Sequence, residues 1–260
     1  MLLAVLAVAC ASPSRSVPPE ADSVSQARLA TAGERDASHS PVVKAEAKSA
    51  VQGGSAPATS TPPAVVPASQ AKPKLYLLAL GSELSSEDVT YVRRALQSFY
   101  DFDVLILPSM ELPRDAWYAP RSRYRAEILL EHLARRMPAD GFRILGLTRS
   151  DISTTKGNVR DWGILGLATI DGSACVISSF RTMKGVQGAQ QARVRLGKVA
   201  VHEIGHTLGL RHCPHLGCLM EDAQGTVATT DRERELCPEC RAELLRRGIA
   251  LIGAPSPPWD

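Results

Sequence analysis

One segment, residues 202–213, constrains the fold of this chain more than any other. It reads HEIGHTLGLRHC, which spaces three histidines and a glutamate as HExxHxxGxxH. Residues four apart lie on the same face of an α-helix, so a helix would bring His202 and His206 to one metal ion. Gly209 can adopt the left-handed conformation that ends a helix, and the chain would then turn back to bring in His212. The spacing therefore predicts a helix that ends near a glycine and carries a three-histidine metal site.

The same segment predicts a reaction type. Three histidines leave the fourth position of a tetrahedral zinc site open for water, as catalytic zinc sites do. Zinc lowers the pKa of that water from about 15.7 to about 7. Glu203 would be the general base that takes the proton during attack on a peptide carbonyl and then passes it to the leaving amine.

Two other interpretations of the histidines stay open, a helix with incidental histidines and a purely structural zinc. Four of the six histidines lie between positions 202 and 215, which argues against chance scatter. A structural zinc would leave Glu203 unexplained. The fourth histidine of the group, His215, is expected to be a surface residue or a neighbour of a ligand.

Four cysteines follow this segment, namely Cys213, Cys218, Cys237 and Cys240. Four thiolates suit a closed tetrahedral zinc site that holds loops in place, and Pro238 suits the first turn of a helix. Cys213 directly follows His212, so such a site would clamp the third histidine. Disulfides and a redox-active CxxC are the alternatives, while Cys175 is expected to be a small buried apolar residue.

This combination of motifs resembles the archaemetzincins, a branch of the metzincin metallopeptidases. The resemblance is carried by HExxHxxGxxHC, by Cys218-Leu219-Met220 and by the CxxC motif of residues 237–240. Segments 146–151, 166–168 and 176–181 are similar to the same family, so the resemblance covers roughly residues 74–245.

The resemblance implies a metzincin-like zincin fold, two zinc ions in each chain and a peptide or protein substrate, with weak aminopeptidase-like cleavage as the usual proposal. It implies that His202, His206 and His212 bind the catalytic zinc, with Glu203 as the base. It also implies that the four cysteines bind a structural zinc and that Met220 lies in the turn beneath the catalytic metal. In metzincins an edge strand binds extended peptide, and residues 174–180 are the candidate here, with a scaffold strand as the equal alternative.

The first 73 residues differ from the rest of the chain, since they lack Phe, Trp and Tyr and contain nine of the eighteen prolines. Residues 11–73 are therefore predicted to be a disordered linker. Residues 1–10 resemble a signal peptide with a bacterial lipobox at residues 7–10, in which Cys10 would be lipidated. The expected location is the bacterial cell envelope, through a lipid anchor or by secretion to the periplasm, with the cytoplasm as the alternative.

Residues 74–250 are predicted to be one metallopeptidase domain of the α/β (α+β) class, with a twisted mixed sheet packed with helices and a small zinc-bound C-terminal subdomain. Strands are expected at 75–80, 104–107, 142–147, 163–168 and 174–180, and helices at 85–100, 125–137 and 190–208. Asp171-Gly172 is a hairpin signal between the last two strands, residues 160–162 are expected in a loop, and residues 251–260 form a flexible tail. A net charge of +3 gives no reason to expect nucleic acid, and a monomer is expected.

Two other classes of function remain open from the sequence. The first is a zinc module that binds a peptide or partner without cleaving it, although binding alone does not require a glutamate at position 203. The second is a thiol redox protein that uses Cys237 and Cys240.

Overall fold

The apolar run that begins at Leu75 forms a strand buried on both faces. This is the arrangement in the computed structural model, which describes residues 71–223, 226–254 and 256–259 and the backbone of residues 5–9. Leu75 and Leu77 pack into the hydrophobic cluster on one face of the sheet. Tyr76 and Leu78 pack into a second cluster on the other face. Alternation across two covered faces explains why this strand has almost no polar residue.

The described residues form nine strands and six helices. The strands are β1 (Val5–Ala9), β2 (Lys74–Leu80), β3 (Asp103–Met110), β4 (Trp117–Tyr118), β5 (Arg123–Arg125), β6 (Arg143–Thr148), β7 (Ile152–Lys156), β8 (Val159–Thr169) and β9 (Ala174–Ser178). The helices are α1 (Ser86–Phe99), α2 (Ala126–Arg136), α3 (Ser179–Thr182), α4 (Ala189–Thr207), α5 (Ala228–Arg232) and α6 (Pro238–Arg246).

The strands form one mixed sheet in the order β3-β2-β6-β9-β8-β7-β5-β4, with β1 paired to β8. Strands β3, β2, β6 and β9 are parallel to their neighbours within this group, and β8 runs antiparallel to β9, β7 and β1. Helices α1 and α4 contribute to the cluster on one face, and α2 contributes to the cluster on the other. The predicted mixed sheet packed with helices is confirmed.

Local signals in the sequence explain several element boundaries. The Oγ of Ser85 accepts a hydrogen bond from the backbone N–H of Asp88 at 3.1 Å, so Ser85 caps α1 as predicted. Helix α6 begins with Pro238 behind the cap residue Cys237. Asp171 has a φ of 56° in the turn between β8 and β9, where the hairpin was predicted.

Two expectations about strands are corrected by the structure. Of the two equal alternatives for residues 174–180, the scaffold strand is the one observed, since β9 ends at Ser178 and pairs with β6 on one side and β8 on the other. The strand stops because the Oγ of Ser178 accepts a hydrogen bond from the N–H of Phe180 at 3.1 Å and starts α3. Residues 160–162 lie in β8 and not in a loop, because pairing with β7 extends that strand back to Val159.

A buried ion pair joins α3 to the segment after β6. The guanidinium of Arg181 donates two hydrogen bonds to the carboxylate of Asp151, at 2.7 and 2.9 Å. Arg123 donates a third at 2.7 Å. A Cβ on Gly163 would lie 1.9 Å from Nη2 of Arg181, so the guanidinium rests directly on β8. This contact ties the hairpin of β7 and β8 to the rest of the sheet.

Candidate metal centre

Helix α4 carries the first two histidines into the interior of the protein. His202 is 3% exposed and His206 is fully buried. Gly209 has a φ of +94°, which confirms the predicted left-handed end of the helix. The reversal brings His212 back towards α4, and the three ring centroids lie 4.6, 5.0 and 5.3 Å apart.

Hydrogen bonds orient two of the three rings. Nδ1 of His202 lies 2.7 Å from the carbonyl oxygen of Leu219, and Nδ1 of His206 lies 2.8 Å from that of Leu210. A carbonyl oxygen only accepts, so each Nδ1 carries the proton and each Nε2 keeps its lone pair. The two rings therefore present Nε2 to a metal in the same way.

The three histidines together form a ligand set. Their ligand atoms lie within 4.8 Å of one another. Each of the three Nε2 atoms is buried, and among the described residues none has a hydrogen-bond partner. Burial lowers the pKa of His202 well below its usual value and that of His206 to about 4, and it also lowers the pKa of His212. Neutral imidazoles that converge on one point fit a zinc ion with an open coordination position.

Glu203 lies in the interior beside this ligand set along the helix. It is fully buried, and neither carboxylate oxygen has a hydrogen-bond partner in the part of the chain that the structure describes. Burial raises the pKa of its carboxyl group well above the usual value. A Cβ on Gly166 would lie 2.6 Å from Oε1 of Glu203, so only glycine lets β8 pass over this side chain. Burying a carboxyl group without a partner destabilises the folded state. Groups buried in this way are concentrated at functional sites.

Met220 packs against helix α4. Its side chain is fully buried. A Cβ on Gly205 would lie 2.5 Å from its sulfur, so the glycine within HExxH makes room for this methionine against α4. The side chain of Met220 therefore lies against α4 at Gly205, within the HExxH segment.

The four C-terminal cysteines form a second cluster. Their Sγ atoms all lie within 4.8 Å of one another, and none of the four is in a disulfide. The backbone N–H groups of Met220 and Cys237 each donate to Sγ of Cys218 at 3.4 Å. These bonds, together with the thiol of Cys240, lower the pKa of Cys218 to about 5. Four sulfurs at this spacing, one of them favoured as a thiolate, fit a tetrahedral zinc ion.

The remaining candidates from the sequence fall in different places. Nδ1 of His215 lies 3.3 Å from Sγ of Cys213, so this half-exposed histidine neighbours the cysteine cluster. Cys175 is fully buried in the sheet, as predicted. Cys10 lies outside the described residues.

Sequence reasoning missed one carboxylate beside the metal centre. Oδ2 of Asp222 lies 3.6 Å from Nδ1 of His212. No motif singles out this residue, because its position relative to His212 depends on how the loop after Met220 folds back. Its only sequence signal is an acidic residue two positions beyond the methionine.

The chain is similar to known peptidases over most of its described residues. A model of peptidase family M54 matches residues 92–246. The archaemetzincin of Halobacterium salinarum is 33% identical over 155 residues, which cover 56% of this chain and 86% of that protein. The archaemetzincin of Archaeoglobus fulgidus is 28% identical over 171 residues, which cover 66% of this chain and 98% of that protein.

Solved structures of archaemetzincins are also similar to this chain. The crystal structure of archaemetzincin from Methanopyrus kandleri has a TM-score of 0.60 and 29% identity, and the match covers 68% of this chain and 95% of that one. The crystal structure of archaemetzincin from Archaeoglobus fulgidus complexed with malonate has a TM-score of 0.56 and 30% identity, covering 65% and 99%.

The relatives correct the predicted location. The archaemetzincins named above are archaeal proteins, so attachment to a bacterial cell envelope through a lipidated Cys10 is contradicted. In the described part of the chain, no helix combines the length and the apolar character that crossing a membrane requires.

Proposed function

Because the chain belongs to peptidase family M54, the archaemetzincins, we propose that it is a zinc-dependent peptidase in which Glu203 acts as the general base. The observation that carries this proposal is the pairing of three unpartnered Nε2 atoms with an unpartnered, buried carboxylate next to them on α4, as found among the described residues. A module that only binds zinc or a partner has no use for that carboxylate.

The histidines fit the metal that the family implies. His202, His206 and His212 would hold zinc through Nε2, and their neutral state favours binding because a protonated imidazole cannot be a ligand. Zinc in this position supplies a Lewis acid and lowers the pKa of water to about 7.

Glu203 would then move the proton. Its buried position raises the pKa of the carboxyl group, so the group can accept a proton from water and hold it until the leaving amine takes it. Gly166 keeps the carboxylate in place, because β8 passes within contact distance of its oxygen and leaves it little room.

The cysteine cluster is proposed to hold a second zinc with a structural role. Cys213 directly follows His212, and its N–H donates to the carbonyl of Met220 at 2.7 Å. Leu219, whose carbonyl orients His202, lies between Cys218 and Met220. Zinc bound by the four thiolates would therefore fix the loop that orients His202 and adjoins His212.

A peptide or protein substrate, a monomeric enzyme and aminopeptidase-like cleavage belong to this proposal.

The test is cleavage of a diverse peptide mixture by the zinc-loaded full chain, with products identified by mass spectrometry. Glu203→Gln removes the base and keeps the shape of the side chain. Glu233→Gln is the matched control, since Glu233 is also a buried carboxylate, 3% exposed, and belongs to neither cluster of candidate ligands. The proposal expects cuts by the wild type and by the control, and a loss of at least about 100-fold for Glu203→Gln.

Equal cleavage by Glu203→Gln and wild type would remove Glu203 from the mechanism. The positions of the cuts answer the remaining question, because products that lack single N-terminal residues mean an aminopeptidase and internal cuts mean an endopeptidase.

A further inference from the structure

The Nδ1 atoms of the three histidines face two different kinds of acceptor. His202 and His206 face backbone carbonyl oxygens at 2.7 and 2.8 Å. His212 instead faces the carboxylate of Asp222, with Nδ1 and Oδ2 3.6 Å apart. The third ring thus differs from the other two, because its Nδ1 faces a charged side chain.

The backbone holds Asp222 in this position. The N–H of Cys213 donates to the carbonyl of Met220 at 2.7 Å, and Cys213 and Glu221 form a parallel β-bridge. Glu221 in turn accepts a hydrogen bond from the N–H of Gly217 at 2.9 Å. This parallel bridge holds the segment after Met220 alongside the segment that carries His212, so Asp222 and His212 lie on neighbouring stretches of backbone.

The carboxylate of Asp222 approaches the His212 ring from the more exposed side of the site. The side chain of Asp222 is 43% exposed and that of His212 is 15% exposed. The set of ligand atoms that lie within 4.8 Å of one another contains the three histidines and not Asp222. Asp222 therefore lies on the Nδ1 side of the His212 ring and is not itself part of the ligand set.

Resting on the zinc site proposed above, we propose that Asp222 is the positioning residue of His212, accepting the Nδ1 proton and aiming Nε2 at the metal. A carboxylate behind a ligating histidine fixes the tautomer and the ring orientation and makes the imidazole a stronger donor. A decrease of about 0.6 Å in the distance between Nδ1 of His212 and Oδ2 of Asp222 would give an ordinary hydrogen bond. Loss of the carboxylate removes this orienting contact from the His212 ring, so zinc is expected to dissociate faster.

The test measures zinc affinity and not only activity. Zinc-loaded full chains of wild type, Asp222→Ala and Asp222→Glu are titrated with chelators of graded affinity, and the zinc that remains is counted. His206→Ala identifies which zinc belongs to the histidines. Asp101→Asn is the matched control, because Asp101 is a comparably exposed carboxylate, 34% exposed, that pairs with Lys72.

For Asp222→Ala we expect a loss of about 10- to 100-fold in affinity at the histidine site. Zinc at the cysteines is retained, and the zinc-free forms unfold at the wild-type temperature. Asp222→Glu restores most of the affinity because it returns a carboxylate, and Asp101→Asn behaves as wild type.

Two results would overturn the inference while leaving the proposed peptidase intact. The first is Asp222→Ala that holds zinc as tightly as the wild type. The second is an equal loss in Asp222→Ala and Asp222→Glu together with a lower unfolding temperature of the zinc-free protein, which would indicate a general structural role. A wild-type chain that binds no zinc at the histidines would overturn the proposed function and this inference together.

Discussion

The carbonyl oxygen of Leu219 lies 2.7 Å from Nδ1 of His202. Leu219 comes directly after Cys218, so the cysteine cluster and the histidine cluster share one short stretch of backbone. The loop that carries the cysteines therefore decides how the first histidine presents Nε2. Stability of the loop and affinity for the catalytic metal are expected to be coupled.

This coupling predicts that Cys218→Ser weakens both metal sites. The variant should lose the zinc at the cysteines and bind zinc at the histidines about 10- to 100-fold more weakly, because the Leu219 carbonyl is no longer held in place. Zinc stoichiometry and chelator competition measure both effects. Cys175→Ala is the control, since Cys175 is a buried thiol outside the cluster, and it should keep both zinc ions.

Gly166→Ala is expected to damage catalysis without removing zinc. The added Cβ would lie 2.6 Å from Oε1 and 2.7 Å from Cγ of Glu203, so the carboxylate must move. We expect kcat to fall by at least 10-fold, about 1.4 kcal/mol in the barrier. Gly188→Ala serves as the control, because a Cβ there meets no atom within 4 Å. Unchanged kcat in Gly166→Ala would mean that the position of Glu203 does not matter.

The stability of the zinc-free protein is expected to fall in mild acid. Burial lowers the pKa of His206 to about 4 and also lowers the pKa values of His202 and His212, whereas unfolded histidines titrate near 6.5. The unfolded chain therefore binds more protons in this range. The stability that these histidines contribute is fully present above pH 6.5 and is lost as the pH falls through about 4. Thermal unfolding of chelator-treated protein across this range should show the loss.

Substitution of one of these histidines provides the check on this pH effect. His206→Gln removes a titrating group and should make the pH dependence shallower. The interpretation fails if His206→Gln has the same slope as the wild type.

Arg181→Ala should destabilise the fold by about 3 kcal/mol, because it leaves the buried Asp151 without its bidentate partner. The loss lies at the lower end of the range for such pairs, since Arg123 still donates to Asp151 at 2.7 Å. Chemical unfolding measures the difference. Arg149→Ala, a change at an exposed arginine nearby in sequence, should alter the free energy of unfolding by less than about 0.5 kcal/mol.

Much of the fold and site could be predicted from local patterns. Helix α4, its end at Gly209 and the candidate ligand residues of both clusters follow from residue spacing, because helical geometry and glycine conformations are local properties. Whether the strand 174–180 lies at an edge could not be predicted, because its sequence does not reveal which strands pair on its two sides. Asp222 was missed for the same reason, since the fold of the loop and not a motif brings it to His212.

The most direct test of the metal centre is anomalous X-ray diffraction at the zinc absorption edge from crystals of the zinc-loaded full chain. The account predicts one anomalous peak among the Nε2 atoms of His202, His206 and His212, and a second among the Sγ atoms of the four cysteines. No peak among the three histidines, from protein with zinc bound elsewhere, would contradict the central claim.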